Sequence, residues 1–250
     1  YGNSELLPMW VADMDFATPD FIVNALKARL DHPIFGYTIE PERYRRAIID
    51  WVASHHDWHI KSEWISYIPG IVKGIAMAIN ACLKSGDKII IQPPVYHPFR
   101  NVAAHNGFEI VENPLLVDSE GRYSIDFDNL EQVADSSCRM LILANPHNPI
   151  GRVWTKEELN QLVELCAKYN VYLFSDEIHS DICYGGHKHC SILTVSEKAK
   201  EISFCAMAPS KTFNIAGLKS SMFIIQNPEI REKVQASIGA FHVGIDLMAY

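Results

Sequence analysis

The chain predicts an α/β fold: a mostly parallel sheet with helices on both faces. Three observations carry this. Short apolar runs recur along the sequence, helical patterns lie between several of them, and the runs are continuously apolar instead of alternating. A strand that is apolar on both sides is buried on both sides, and parallel strands joined by helical crossovers meet that condition.

Taken in order, Thr18-Pro19 reads as an N-cap and first-turn pair, followed by Phe21, Ile22, Ala25, Leu26 and Leu30 on one helical face. Pro41 opens a second helix containing Tyr44, Ala47, Ile48 and Trp51, and Gly70 introduces a third from about Ile71 to Leu83. The expected strands are Lys88–Ile91, Phe108–Val111, Met140–Leu143, Val171–Phe174, Ile202–Cys205 and Met222–Ile225. The clearest helix between them runs from Thr155 to Tyr169, with Thr155 as N-cap and Glu158 completing a capping box. There is no internal repeat and no low-complexity linker.

Composition narrows the function. Of 250 residues, 48% are hydrophobic and 21% charged, as in ordinary globular proteins. A net charge of −8 without a basic run argues against a nucleic-acid surface. No apolar stretch has membrane-spanning length. The six cysteines are scattered and lack a C-x-x-C pair, which suits a reduced, cytoplasmic thiol set. The abrupt ends, Tyr1 and the apolar Ile245–Tyr250, suggest a piece of a longer chain.

Three strand ends carry unusual polar residues. Ala144-Asn-Pro-His-Asn-Pro-Ile-Gly151 forces an irregular turn that presents amide side chains. Asp176 follows a buried strand, where its carboxylate needs a strong partner. Lys211 follows the third run; a lysine at the mouth of a buried strand sheds hydration and can serve as a nucleophile toward a carbonyl. Lysines in such positions are most often plain loop residues, and Asp176 alone reads as a cap or ion-pair partner. Asn148 alone reads as a turn residue, and Tyr37 and Tyr96 as packing aromatics. Together, however, a carboxylate, an amide and a lysine at adjacent strand ends suit pyridoxal 5′-phosphate (PLP). Its ring nitrogen pairs with a carboxylate, its phenolic oxygen accepts from an amide, and its aldehyde condenses with lysine.

The ordered motifs Leu7-Pro-Met-Trp-Val-Ala-Asp-Met-Asp-Phe16, Phe35-Gly-Tyr-Thr38, Asn145-Pro-His-Asn-Pro149, Ser175-Asp-Glu-Ile-His179 and Ser210-Lys-Thr-Phe-Asn214 span the chain. It resembles the fold-type I PLP-dependent enzymes of the class I/II aminotransferase superfamily. Within them it is similar to the cystathionine β-lyase branch, the MalY/PatB type of carbon–sulfur lyase. The resemblance implies an aspartate aminotransferase-like large domain over 41–250. It implies an arm and first helix over 1–40 that touch substrate and a dimer partner, and a small C-terminal domain largely beyond Tyr250.

It further implies that Lys211 binds the cofactor aldehyde and takes the substrate Cα proton, that Asp176 pairs with the ring nitrogen, and that Asn148 bonds the phenolic oxygen. Tyr96 stacks on the ring, the N–H groups of Ile71 and Val72 with the Ser210 hydroxyl hold the phosphate, and His179 stands where many relatives have tyrosine. A helix N-terminus favours anions on its own account. Tyr37 reaches the phosphate of the neighbouring subunit, making a homodimer with shared sites. Lys219 replaces a phosphate-binding arginine, and Ile150 a common threonine. The arginine that binds the substrate carboxylate lies beyond Tyr250.

The implied reaction is β-elimination from a sulfur amino acid, giving pyruvate, ammonia and a thiol. An aminotransferase shares its early steps, and the same fold serves as the effector domain of some transcription regulators, which a winged helix ahead of Tyr1 would distinguish. The His/Cys-rich stretch His179, Cys183, His187, His189 and Cys190 lacks the paired spacing of a zinc site, and Gly185-Gly186 breaks any shared helical face. No metal is expected.

Overall fold

The computed structural model describes Glu5 and residues 12–250. The part of the Leu7–Phe16 motif before Ala12 lies outside the described residues. Helices α1 (Asp20–Leu30) and α2 (Glu42–His56) precede strand β1 (Ile65–Ile68), α3 (Ile71–Cys82), β2 (Lys88–Ile91), α4 (Pro98–His105) and β3 (Glu109–Glu112). A two-stranded hairpin follows, β4 (Leu116–Val117) with β5 (Tyr123–Ser124), and then α5 (Phe127–Val133). Next come β6 (Cys138–Ala144), α6 (Lys156–Lys168), β7 (Tyr172–Asp176), α7 (Glu197–Ile202), β8 (Ser203–Met207), β9 (Ser221–Ile224) and α8 (Pro228–Ala240).

Seven strands form one sheet in the order β1-β9-β8-β7-β6-β2-β3. From β3 across to β8 every pairing is parallel; β9 runs antiparallel to both its neighbours. Successive residues of β6 point to opposite faces, as the two-residue period of a strand requires. Leu141 and Leu143 join Val52, Leu159, Leu162 and Val163 on the face covered by α2 and α6. Met140 and Ile142 join Ile75, Ile79, Phe99, Ile230 and Val234 on the face covered by α3, α4 and α8. Two cores therefore sandwich one sheet, as the continuous apolar runs require.

Strand β9 forms at the expected Met222–Ile225 run but is antiparallel to its neighbours, and β1 extends the sheet beyond what the runs indicate. Thr18 does not cap α1, because Pro19 is the cap residue and the Thr18 hydroxyl donates to the Asn214 carbonyl instead (3.3 Å). The apolar face of α1 is not buried either: Phe21 and Leu30 are exposed. By contrast the capping box of α6 forms on both sides, with Glu158 N–H to Thr155 Oγ1 at 3.2 Å and Thr155 N–H to Glu158 Oε2 at 2.8 Å.

Candidate active site

The sheet order reverses between β2 and β6: the chain leaves β2 toward β3 on one side, and leaves β6 toward β7 and β8 on the other. Loops that follow such strands diverge and open a crevice beyond their carboxyl ends. A cavity of ≈ 670 Å³ opens there. Its walls include Ile71, Val72, Tyr96, Asn148, Asp176, His179, Ser210 and Lys211, so eight of the nine residues read from the sequence as site residues share one space. The ninth, Tyr37, is fully exposed and lines no part of it.

Each group is delivered by a strand end. The segment after β2 carries Tyr96 and the segment after β6 carries Asn148, and the two are tied together: Tyr96 N–H donates to the Asn148 carbonyl at 3.0 Å. His147 reinforces the tie, its Nε2–H donating to the Pro94 carbonyl at 3.0 Å and its N–H to the Arg152 carbonyl at 2.8 Å. Burial pushes the His147 imidazole down to about 4, so it serves as a neutral strut. Tyr96 is itself half-buried, and burial together with the nearby Asp176 carboxyl pushes its phenol up.

Asp176 is the last residue of β7, paired in register with Ala144 on one side and Ala206 on the other. It is buried, and its Oδ1 accepts from the Ile178 N–H at 3.1 Å. Burial raises the carboxyl to about 7, against the weaker opposing pull of that hydrogen bond and of Lys211. A buried carboxyl facing a cavity with so little stabilisation calls for a cationic N–H donor from a ligand. His179 shares the wall; burial first, and then the Lys211 charge, hold its imidazole low.

At the opposite wall, Gly70 adopts φ 110° and turns the chain into α3, whose first residues, Ile71 and Val72, line the cavity. Backbone N–H groups at a helix start lack intrahelical acceptors and attract anions. α3 seats tightly on the sheet because Gly74 lacks a side chain: a Cβ there would lie 2.5 Å from Ile68 Cδ1 and 3.0 Å from Phe223 Cζ. Ser210, buried, and Lys219 close this end, with Lys219 in the left-handed region at φ 55°.

Sequence reasoning missed several groups around this cavity. Asp181 grips Thr212, next to Lys211; Glu177 pairs with His189 in a fully buried contact (2.9 Å); Asn214 holds the backbone of Met14 and Phe16. The available signal was three acidic residues within Asp176–Asp181, immediately after a buried strand. Of the His/Cys-rich stretch, His189 is taken up by Glu177, and among the described residues no three His, Cys, Asp or Glu side chains converge to hold a metal ion. Among the described residues no helix is long and apolar enough to cross a membrane.

The chain has counterparts among known proteins. Cystathionine β-lyase PatB of Bacillus subtilis is 46% identical over 239 residues, covering 95% of this chain and 62% of the relative. A PLP-bound protein from Clostridium difficile 630, assigned provisionally as an aminotransferase, superposes with a TM-score of 0.95 at 42% identity, over 100% of this chain and 65% of that one. A PLP-bound C–S lyase from Staphylococcus hominis superposes with a TM-score of 0.89 at 35% identity, over 98% and 62%. The chain thus spans under two thirds of the length of these relatives. The model of aminotransferase class I and II matches residues 5–249, and the chain belongs to that family.

Proposed function

We propose that this chain is the cofactor-binding part of a PLP-dependent carbon–sulfur lyase that eliminates a thiol from a cystathionine-type amino acid. The observation that carries the cofactor is the buried Asp176 carboxyl, raised to about 7 and facing a cavity that also holds Lys211. The donor set fits PLP at each end: a carboxylate for the ring nitrogen, an amide for the phenolic oxygen, a lysine for the aldehyde, and helix N–H groups with a buried serine for the phosphate. The likeness to PatB and to the Staphylococcus hominis C–S lyase supports elimination.

PLP, when bound, supplies an electron sink for the charge left on the substrate Cα. The chain does the rest. Lys211 Nζ would hold the cofactor's aldehyde and would accept the substrate Cα proton. Asp176 keeps a proton on the ring nitrogen, and Asn148 donates to the phenolic oxygen. Tyr96 packs on the ring, and Ile71 N–H, Val72 N–H and Ser210 Oγ hold the phosphate, with Lys219 adding charge without the bidentate fork of arginine. His179 contributes a neutral imidazole beside Lys211. The net reaction takes one thioether and one water to a thiol, pyruvate and ammonia.

A homodimer is part of this reading. Phe16, Phe21, Ile34, Phe35, Tyr37 and Ile39 are large, exposed and close in sequence, a pattern that suits a surface covered by a second copy. Tyr37 on that surface reaches the partner's cofactor phosphate. The six free cysteines suit a reducing, cytoplasmic setting. An aminotransferase is the competing reading, favoured by the Clostridium difficile relative.

The test is product formation by the full-length protein with PLP and L-cystathionine and no keto acid. Sustained pyruvate over many turnovers supports elimination. A single half-reaction, with turnover only after a keto acid is added, overturns it in favour of transamination.

A further inference from the structure

The Lys211 segment rests on a largely buried polar network for which cofactor binding provides no task. Asp181 lies five residues after Asp176, at the end of the turn that leaves β7. Its Oδ2 accepts from Thr212 Oγ1 at 2.6 Å. Its Oδ1 accepts from Trp51 Nε1 at 3.1 Å and from His56 Nε2 at 2.8 Å. Three donors thus converge from α2 and from the β8–β9 connection. Burial alone would raise the Asp181 carboxyl, but these hydrogen bonds, led by that of His56, hold it at about 2.

The network continues behind the site. The His56 ring meets the His189 ring edge-on, with centroids 5.5 Å apart. His189 Nε2 lies 2.9 Å from Glu177 Oε2, and Glu177 Oε1 also accepts from Ser175 Oγ and Ile192 N–H, each at 3.0 Å. Glu177 follows Asp176 in sequence, and Thr212 follows Lys211. The two groups at the chemical centre are therefore each one residue from a member of a single buried network.

Polar contacts of this kind add little net stability, because desolvation offsets much of their attraction. What they do supply is fixed geometry. A lysine on a flexible four-carbon stem gains its positioning from where its backbone is held. We propose that Asp181 is a positioning residue for Lys211, acting through Thr212 to fix the lysine segment relative to Asp176. Lys211 must release the cofactor, collect a proton and return; a backbone anchored next door keeps its Nζ within reach of both partners throughout.

This inference rests on the PLP reading, and the test separates the two. Full-length protein is freed of cofactor, mixed with PLP, and followed by visible absorbance for formation of the lysine–cofactor bond. Borohydride reduction and peptide mapping then locate that bond, and the melting temperature of the cofactor-free protein is measured alongside. Thr212→Val removes the hydroxyl at nearly constant volume, and Thr212→Ser restores it. We expect Thr212→Val to slow bond formation on the order of 10- to 100-fold and to lower kcat more than it raises KM, since small displacements of reacting groups cost that much. Its cofactor-free melting temperature stays within about 4 °C of wild type. Thr212→Ser recovers most of the rate.

Bond formation and turnover by Thr212→Val within about twofold of wild type overturns the assignment, because a misplaced lysine costs far more. So does a Thr212→Ser variant no faster than Thr212→Val. Wild-type protein that acquires no bond at Lys211 refutes the PLP reading and takes this inference with it.

Discussion

Asn214 and Met14, two hundred residues apart in sequence, exchange a pair of hydrogen bonds: Met14 N–H donates to Asn214 Oδ1 at 3.1 Å, and Asn214 Nδ2 donates to the Met14 carbonyl at 2.9 Å. Nδ2 also reaches the Phe16 carbonyl at 3.0 Å. Asn214 lies three residues beyond Lys211, and Ala12 lines the cavity just ahead of the clamped segment. The residue that ends the lysine motif therefore also holds the arm at the cavity mouth. Asn214 sits in the left-handed region at φ 55°, which asparagine tolerates better than most side chains.

Asn214→Gly keeps that backbone conformation and removes the clamp alone. Hydrogen exchange at the Met14 amide is expected to accelerate by about tenfold, the equivalent of roughly 1.4 kcal/mol lost from the exposed pair. Unchanged exchange at Met14 would show that the arm is held by other contacts.

Asp176→Asn is expected to trade function for stability. The unfolded chain gives up this proton near its ordinary value of 3.8, while the folded, ligand-free chain keeps it up to about 7. Between those values the folded state binds more protons than the unfolded state, so stability falls as pH rises. Asparagine does not titrate. Cofactor-free Asp176→Asn is expected to be more stable than wild type by roughly 1–4 kcal/mol near pH 8, with the difference closing near pH 4. Urea unfolding at both pH values checks this. PLP is expected to stabilise wild type more than the variant.

His147 titrates in the opposite sense. Its folded value of about 4 lies below its ordinary 6.5, so the unfolded state binds more protons in that window and stability falls as pH drops through it. His147→Gln retains a donor for the Pro94 carbonyl without a titrating ring. The variant is expected to lose less stability than wild type between pH 6.5 and pH 4, by about 1–3 kcal/mol, measured by denaturant unfolding across that range. Parallel pH profiles for the two proteins would contradict the strut.

Gly74→Ala tests how α3 is seated. The added methyl meets Ile68 and Phe223 in the packed interior, and overpacking of this kind costs about 1–3 kcal/mol. Because Ile71 and Val72 begin the same helix, we expect affinity for inorganic phosphate, measured by calorimetry, to fall along with stability. Stability loss without loss of phosphate affinity would separate the seat of the helix from the cradle.

Legibility followed the reach of each interaction. The β2, β6, β7 and β8 runs were readable because both their faces are buried, so apolar continuity reports them directly. β1, four residues between Trp64 and Pro69, is too short to stand out, and its place is set by pairing with β9 at the other end of the chain. The reversal of β9 was hidden because the Ala208–Ser220 connection carries the lysine turn where a crossover helix would otherwise make the strand parallel. α1 shows that an apolar stripe specifies a face and not what covers it: Phe21 touches Phe213 edge-on at 6.1 Å and remains largely exposed. In the site, Lys211, Asp176 and Asn148 stood out because each ends a buried run. Asp181, His147 and Asn214 did not, since their roles depend on partners more than fifty residues away, Trp51 and His56 for Asp181, Pro94 for His147 and Met14 for Asn214.

The central claim is that the cavity beyond β6, β7 and β8 holds PLP through Lys211. The most direct measurement is borohydride reduction of the PLP-loaded full-length protein, followed by digestion and mass spectrometry of every lysine-containing peptide. The reduced phosphopyridoxyl group is expected on Lys211. Its appearance on Lys219 or another lysine instead, or on none, would contradict that claim.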